Sequence, residues 1–144
     1  MNKSMIDYLY SELIITLVVF SLPGKRQCEI TGFGCVGEEI LIDFENYYTE
    51  KKEVYIENGL LNPRQIEQLD QFSVYLEQFN GRNDDFYWDH EVIANHPLWE
   101  NLRTESAKLL EDLFDVEYDV EIKLTRKIKN GHMIEHLERK LVKK

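Results

Sequence analysis

The sequence predicts an α+β domain dominated by helices, with about four helices and a small antiparallel sheet or hairpin near the C-terminus. Apolar residues recur at intervals of three and four along most of the first 113 residues, which is typical of one face of an α-helix. Residues 116–124 instead alternate between apolar and charged side chains, which is typical of a strand with one dry face. The 144 residues, 43% of them hydrophobic, are enough for a single globular domain spanning 1–144 with its own core.

The first helix is predicted over residues 4–12, whose apolar side continues to Leu13. Residues 13–20 are rich in β-branched side chains, so they either extend this helix into the core or form a buried strand. We favour the helix, and Pro23 with Gly24 ends the element in either case. The apolar run is shorter than the roughly 20 residues that cross a bilayer, so neither a membrane segment nor a signal peptide is expected.

Two more helices are predicted in the middle of the chain. One begins at Val36 and ends at Asn58 and Gly59, with a hairpin of residues 40–48 and 53–57 as the alternative; its apolar stripe is Ile40, Phe44, Tyr48 and Tyr55. The next begins at Asn62 and Pro63, a good cap followed by a residue suited to the first turn. It closes at Asn80 and Gly81, and its stripe is Ile66, Leu69, Phe72, Leu76 and Phe79.

A fourth helix is predicted to begin with Asn95 as its cap and Pro97 in its first turn. Its apolar stripe is Trp99, Leu102, Ser106, Leu109 and Leu113, while Arg103 is expected on another face with the charged residues.

The strand at 116–124 needs a partner strand to pair its backbone groups. The candidates are residues 14–20, residues 27–31, and the segment after Asn130 and Gly131, a dipeptide that favours a hairpin turn. That last segment also fits a short helix with Met133, Leu137 and Leu141 on one face.

The formal net charge of −10 is unevenly distributed. Residues 1–121 hold 25 acids and 9 bases, whereas residues 122–144 hold 2 acids and 8 bases. The acidic part repels nucleic acid and attracts a basic protein, so we expect a protein partner and no direct nucleic-acid binding. The favoured interpretation of the basic segment is a solvated face; the alternatives are that it folds back on the acidic part or contacts a phosphate.

Several short patterns suggest chemistry but lack the residues that would complete it. The run from His132 to His136 matches the H-x-x-E-H pattern of inverted zinc proteases, but only eight residues remain for the third ligand. Residues 32–34 resemble the start of a dinucleotide fingerprint, but no clear strand–helix setting follows, so tight backbone turning is the role we expect for Gly32, Gly34 and Gly37. A cluster of acids is interpreted as the start of a helix rather than as acid–base machinery: Glu38, Glu39 and Asp43.

Two cysteines, Cys28 and Cys35, are too few for a disulfide scaffold and are typical of small core residues in a reducing compartment. We therefore predict no catalytic residue, no metal and no cofactor. The protein is not expected to be an enzyme.

Three consecutive aromatics, Phe86, Tyr87 and Trp88, are surrounded by acids. The favoured interpretation is a cluster that packs this segment onto the helices, with at least one ring near the surface. The alternative is a binding hot spot for a partner, because such residues are enriched in interfaces.

The chain resembles the immunity proteins of bacterial contact-dependent-inhibition and polymorphic-toxin systems in its overall character. The stretches that carry the resemblance are residues 32–39, 59–66 and 86–89. The resemblance implies a small acidic cytoplasmic protein that binds and neutralises one toxin domain, often a nuclease. A monomer or homodimer is expected, without membrane attachment.

The predicted contact surface consists of aromatic and acidic residues in two runs, and the strand at 116–124 is a further docking edge if it is unpaired. The residues are Asp84, Asp85, Trp88, Asp89, Glu91, Glu111, Asp112, Asp115, Glu117, Asp119 and Glu121. The alternative functions are a small ligand-binding or metal-binding domain, an enzyme, or a regulatory adaptor.

Overall fold

The computed structural model describes residues 2–24, 26–27, 36–82, 84–113 and 118–143. Seven α-helices have both ends within these residues, together with one π-helical and one 3₁₀ segment. The helices are α1 (Lys3–Ser21), α2 (Val36–Phe44), α3 (Lys52–Glu57), α4 (Pro63–Leu76), α5 (Asp84–Trp88), α6 (His90–Asn95) and α7 (Pro97–Leu113). The π segment is Glu45–Thr49 and the 3₁₀ segment is Glu77–Phe79; the strands are β1 (Tyr118–Lys129) and β2 (His132–Lys143).

The predicted fold class is wrong. The molecule is helix-dominated, with seven complete α-helices among the described residues rather than about four, and the β structure of those residues is one two-stranded antiparallel hairpin, which was one of the two forms expected near the C-terminus. The count was too low because three of the helices, α3, α5 and α6, have only five or six residues. Helices this short do not span two full periods of a 3.6-residue pattern, so apolar spacing does not reveal them.

The first helix, α1, continues through the β-branched run, so the prediction of a helix there is confirmed. Asn2 caps its start by accepting the Met5 backbone N–H at 2.9 Å. Every residue from Glu12 to Phe20 is buried, which makes α1 the central helix of the core. By length and composition α1 could cross a membrane, but 61% of its most apolar window is buried inside the molecule, and core helices of soluble proteins pass the same test.

The helix predicted from Val36 to Asn58 forms as three pieces: α2, the π segment and α3. Its stripe residues are all buried, so the apolar face was identified correctly: Ile40, Phe44, Tyr48 and Tyr55. In a regular α-helix, residues four positions apart are rotated about the helix axis by about 40° more than a full turn. An apolar stripe with this spacing therefore turns away from the core. The wider π turn offsets this drift and keeps Tyr48 facing inward.

Helix α4 begins as predicted. Asn62 accepts the Gln65 N–H at 2.8 Å, and the Gln65 side chain accepts the Asn62 N–H at 2.9 Å, which completes a capping box. Its stripe is buried at Leu69, Phe72 and Leu76, and Phe79 continues it in the 3₁₀ segment. Gly81 follows with a φ of +78°, a left-handed conformation that suits glycine.

Helix α7 follows the predicted stripe, but two details of the prediction were wrong. Its cap is His96, whose Nδ1 accepts the Leu98 N–H at 3.1 Å, whereas Asn95 is the last residue of α6. Arg103 was expected on a solvated face and is buried instead. Its guanidinium donates to the Gln27 side chain at 3.1 Å and to the Ala94 carbonyl at 2.9 Å, and it pairs with Glu100 at 2.6 Å.

Gln27 links this arginine to the end of α1. Its amide donates to the carbonyls of Val19 at 2.9 Å and Phe20 at 3.2 Å, and the Gln27 side chain is fully buried. Ser106 on α7 donates to the Leu17 carbonyl at 2.7 Å. These bonds satisfy carbonyls that the last turn of a helix leaves without an intrahelical partner or with acceptor capacity to spare. We call Gln27, Arg103 and Ser106 the α1 clamp.

Strand β1 pairs antiparallel with β2 along its whole length, from Tyr118 opposite Lys143 to Lys129 opposite His132. The partner is thus the segment after Asn130 and Gly131, not residues 14–20, which belong to α1; residues 28–31 lie outside the described residues. Positive φ angles at Asn130 (54°) and Gly131 (77°) make the connection a two-residue turn whose twist matches that of the strands. Both strands contact α1.

Replacing Gln27 with alanine should lower the free energy of unfolding by about 2–3 kcal/mol, because buried carbonyls of α1 and the Arg103 guanidinium then lose a partner. Urea titration followed by circular dichroism measures the loss. The matched control is Gln71→Ala on the exposed side of α4, which should change stability by less than about 0.5 kcal/mol. Equal losses in the two variants would contradict a stabilising role for the clamp.

Candidate interaction surface

Trp99 joins several elements around the predicted aromatic cluster. It is fully buried, its Nε1 donates to the Phe86 carbonyl at 3.0 Å, and its ring stacks on that of Phe86 at 5.2 Å. Phe79 lies 5.3 Å from the same indole, measured between ring centroids. Phe86 is therefore a core residue, as the favoured interpretation of this cluster predicted. Tyr87 is half-buried and donates to the Phe79 carbonyl, while the Trp88 side chain lies outside the described part of the structure.

Gly37, in the first turn of α2, allows that helix to approach the same tryptophan. A Cβ atom at this position would lie 2.8 Å from the Trp99 ring and 3.0 Å from the Tyr87 backbone. The sequence suggested tight turning for this glycine, but its role is close packing of one helix against an aromatic ring.

The first predicted acidic run occupies α5 and the start of α6. Asp85 is exposed, and the Asp84 side chain is outside the described residues. Asp89 is exposed and caps α6 by accepting the Glu91 N–H at 2.9 Å. Glu91 is exposed and accepts a hydrogen bond from Asn95 at 3.4 Å. Asp89 thus has a structural task, so its substitution changes stability as well as surface charge.

The second predicted acidic run lies at the other end of α7. Glu111 and Asp112 are exposed in its last turn, and Glu121 is exposed on β1. Asp119 lies on β1 without a described side chain, and Asp115 and Glu117 lie outside the described residues. Fifteen residues of helix separate Pro97 from Asp112, a distance of about 22 Å. Because α6 ends at Asn95, two residues before Pro97, the first run lies near the start of α7 and the structure does not bring the two predicted runs into one patch.

The structure contains a groove that the sequence did not reveal. One of its walls is formed by α2 and the π segment, and the other by the end of α4. We call it the acidic groove; its volume is about 550 Å³. Its rim holds three exposed carboxylates, those of Glu38, Glu45 and Glu77, with one base, Arg82. Apolar residues form much of the remaining wall: Leu41, Ile42, Phe44 and Leu76. The guanidinium of Arg82 lies over the Phe86 ring at 5.1 Å.

Hydrogen bonds between side chains that do not line the groove connect the elements of its two walls. Tyr48 of the π segment donates to the Asp70 carboxylate of α4 at 2.6 Å, and Lys52 donates to the same carboxylate at 2.8 Å. Burial, together with the neighbouring carboxylate, raises the pKa of Tyr48, so the phenol remains a donor. Burial alone would raise the pKa of Asp70, but the bonds from Lys52 and Tyr48 outweigh it and lower that pKa.

The described residues contain no group of three or more His, Cys, Asp or Glu side chains that could hold a metal ion. The H-x-x-E-H pattern lies on strand β2, whereas the zinc motif requires these residues to lie on a helix. Positions four apart on a strand are separated by about 13 Å, so His132 and His136 do not adopt the spacing of that zinc motif. The two cysteines and residues 32–34 lie outside the described part of the chain.

Comparison of the chain with protein-family models, with curated proteins and with solved structures finds no match. The candidate surface is therefore defined by geometry and charge alone. Sequence reasoning missed the acidic groove because its rim combines residues from separate elements, with Glu38 and Glu77 brought together only by the tertiary fold. The sequence shows the net negative charge, but it does not show where on the surface the acidic residues come together.

Asp70→Asn should remove a pH-dependent part of the stability. A carboxyl group whose pKa is lower in the folded state stabilises the fold above its ordinary pKa of 3.8, and this contribution disappears as the pH falls through the folded value. The Asp70 side chain is 46% exposed, so we expect a difference below about 1 kcal/mol. Urea unfolding of both proteins should show a difference at neutral pH that shrinks progressively as the pH falls below 3.8. A difference that is unchanged at low pH would contradict the assignment.

Proposed function

We propose that this protein is a cytoplasmic inhibitor that binds a basic, nuclease-like toxin domain, as an immunity protein does. The observation that supports the proposal best is the charge of the helical surface. Among described residues 2–113, sixteen acidic residues are exposed against four exposed bases: Lys3, Arg64, Arg82 and Lys108. A protein that binds nucleic acid must carry a basic surface, so an acidic inhibitor matches it in charge and gains association rate through electrostatic steering.

The acidic groove is the docking site that suits this partner best. Its volume of about 550 Å³ accommodates several side chains, and its rim and walls offer carboxylates beside apolar surface. Arginine and lysine present an aliphatic stem and a charged end, so they match both features of the groove. Ile42, on one wall, exposes 42% of its surface and adds an apolar contact.

Side-chain hydrogen bonds connect the elements that form the groove, which favours binding. The bonds from Tyr48 and Lys52 to Asp70 fix the π segment against α4, and Tyr48 is fully buried. A surface held in place before binding loses less conformational entropy when the partner docks.

Neutralising the groove with Glu38→Gln, Glu45→Gln and Glu77→Gln should slow association with the partner about tenfold at low ionic strength. The partner is first captured on the tagged protein from a lysate of its source organism and identified by mass spectrometry. Its activity on DNA or RNA is then assayed with and without the inhibitor, and association rates are measured across a salt series.

The matched control is Glu53→Gln, Glu57→Gln and Glu67→Gln, which removes the same charge from exposed positions that do not line the groove. A third variant combines Asp85→Asn, Glu91→Gln, Glu111→Gln and Asp112→Asn and tests the surface predicted from sequence, leaving the Asp89 cap intact. Equal rates for the groove and control variants would exclude the groove. A captured partner whose activity does not fall on binding would exclude inhibition.

A further inference from the structure

Within the described residues, neither outer edge of the hairpin of β1 and β2 pairs with a further strand. Among the described residues the sheet contains only these two strands, each of 12 residues. A strand edge presents a row of backbone donors and acceptors to solvent, and proteins normally cover or interrupt such a row. Two-stranded hairpins are also only marginally stable without further packing. Ile128, near the turn, is 78% exposed, the highest value among the exposed large apolar residues.

The turn determines which backbone groups of β1 face outward. In a hairpin closed by a two-residue turn, the residues that flank the turn form a hydrogen-bonded pair, here Lys129 with His132. Every second residue of β1 therefore bonds to β2, and the even-numbered residues direct their N–H and C=O groups to the open edge. A strand added at this edge must align its own outward groups with these even-numbered positions.

Two copies of β1 satisfy this requirement when they pair antiparallel about a two-fold axis through Leu124. In that register Asp119 lies opposite Lys129 of the second copy, and Glu121 lies opposite Lys127 of the second copy. Each pair occurs twice by symmetry, and no like charges face each other directly. Val120 lies opposite the exposed Ile128, and Leu124 lies opposite its own copy.

The neighbouring registers are unfavourable. If one copy of β1 is shifted by two residues in one direction, Lys123 lies opposite Lys123 of the second copy. If it is shifted by two residues in the other direction, Lys123 lies opposite Lys127 of the second copy. Directly opposed like charges destabilise a strand pair, whereas opposite charges and apolar pairs stabilise it. Of these three registers, charge favours the one with Leu124 at the two-fold axis.

We propose that the protein forms a homodimer in which the β1 edges of two copies join the two hairpins into one four-stranded antiparallel sheet, with Leu124 at the two-fold axis. The occupant of the edge is thus a second copy of this chain, an isologous contact of the kind that closed dimers use. The inference does not depend on the acidic groove, which lies on the helical part of the molecule.

The test exploits the symmetry of the Asp119–Lys129 pair. Asp119→Lys places lysine opposite lysine in a homodimer, and Lys129→Asp places aspartate opposite aspartate. Each variant alone should dimerise about tenfold more weakly than the unmodified protein. An equimolar mixture of the two variants restores opposite charges at both positions, so it should form a heterodimer as stable as the original dimer. Sedimentation equilibrium at low ionic strength measures all four dissociation constants.

Lys108→Asp on α7 is the matched control, because it makes the same charge change at an exposed position outside the hairpin and should leave dimerisation unchanged. Circular dichroism verifies that each variant is folded. If a charge variant does not fold, Arg126→Pro replaces it: the N–H of residue 126 faces the open edge, so proline removes a bond between copies and none within the hairpin.

A protein that is monomeric at every concentration would overturn the proposal, and so would a mixture that dimerises no better than its components. A hairpin edge that pairs only with a strand of a different protein would also give a monomer in this experiment. None of these outcomes affects the proposed inhibition, which is measured by association rates and by the activity of the partner.

Discussion

Side chains, not solvent, donate the hydrogen bonds that the last carbonyls of α1 accept. The arrangement of the other helices follows from this constraint. A helix whose last turns are buried cannot give its carbonyls to water, so other segments must supply donors. Gln27 supplies two and Ser106 supplies one, while Arg103 holds the Gln27 side chain from the opposite side. The clamp thereby fixes the turn after α1 and the middle of α7 relative to the core.

The burial of α1 also explains why the surrounding helices are short. Nine consecutive buried residues occupy all faces of a helix, so α1 needs neighbours on every side. It contacts α7, α2, the π segment, α3 and both strands. Short helices change direction often enough to surround it, and their ends are secured by local bonds such as the Asp89 cap of α6 and the Nδ1 bond of His96. The aromatic contacts of Trp99 join α2, the 3₁₀ segment and α5 on one side of this arrangement.

The parts of the fold that the sequence predicts are those determined by neighbours along the chain. The capping box at Asn62 and the stripe of α7 depend on spacings of three and four residues, so a local pattern reveals them. Arg103 does not obey such a pattern, because its partner Gln27 is 76 positions away. The acidic groove has the same origin, because its carboxylates come from α2, the π segment and the 3₁₀ segment, which only the tertiary fold brings together. The hairpin turn was foreseeable from Asn130 and Gly131, but the length of the strands was not, since β2 lacks a regular alternation.

The separation of charge between the helices and the hairpin restricts how a basic partner approaches. The hairpin, residues 118–143, holds 7 bases and 4 acids, a net charge of +3, so it repels the basic partner proposed above, which the helical surface attracts. Charges at an exposed surface are screened beyond a Debye length of about 8 Å at physiological ionic strength. The helical surface and the hairpin therefore each attract or repel only charges close to them. A basic domain is therefore steered to the helical side, where the groove lies.

On the proposed dimer the two hairpins occupy the centre and the two helical parts lie at the ends. The proposed contact between copies uses residues of β1, none of which lines the groove, so each copy keeps its own groove and the proposed dimer offers two docking sites for the proposed partner.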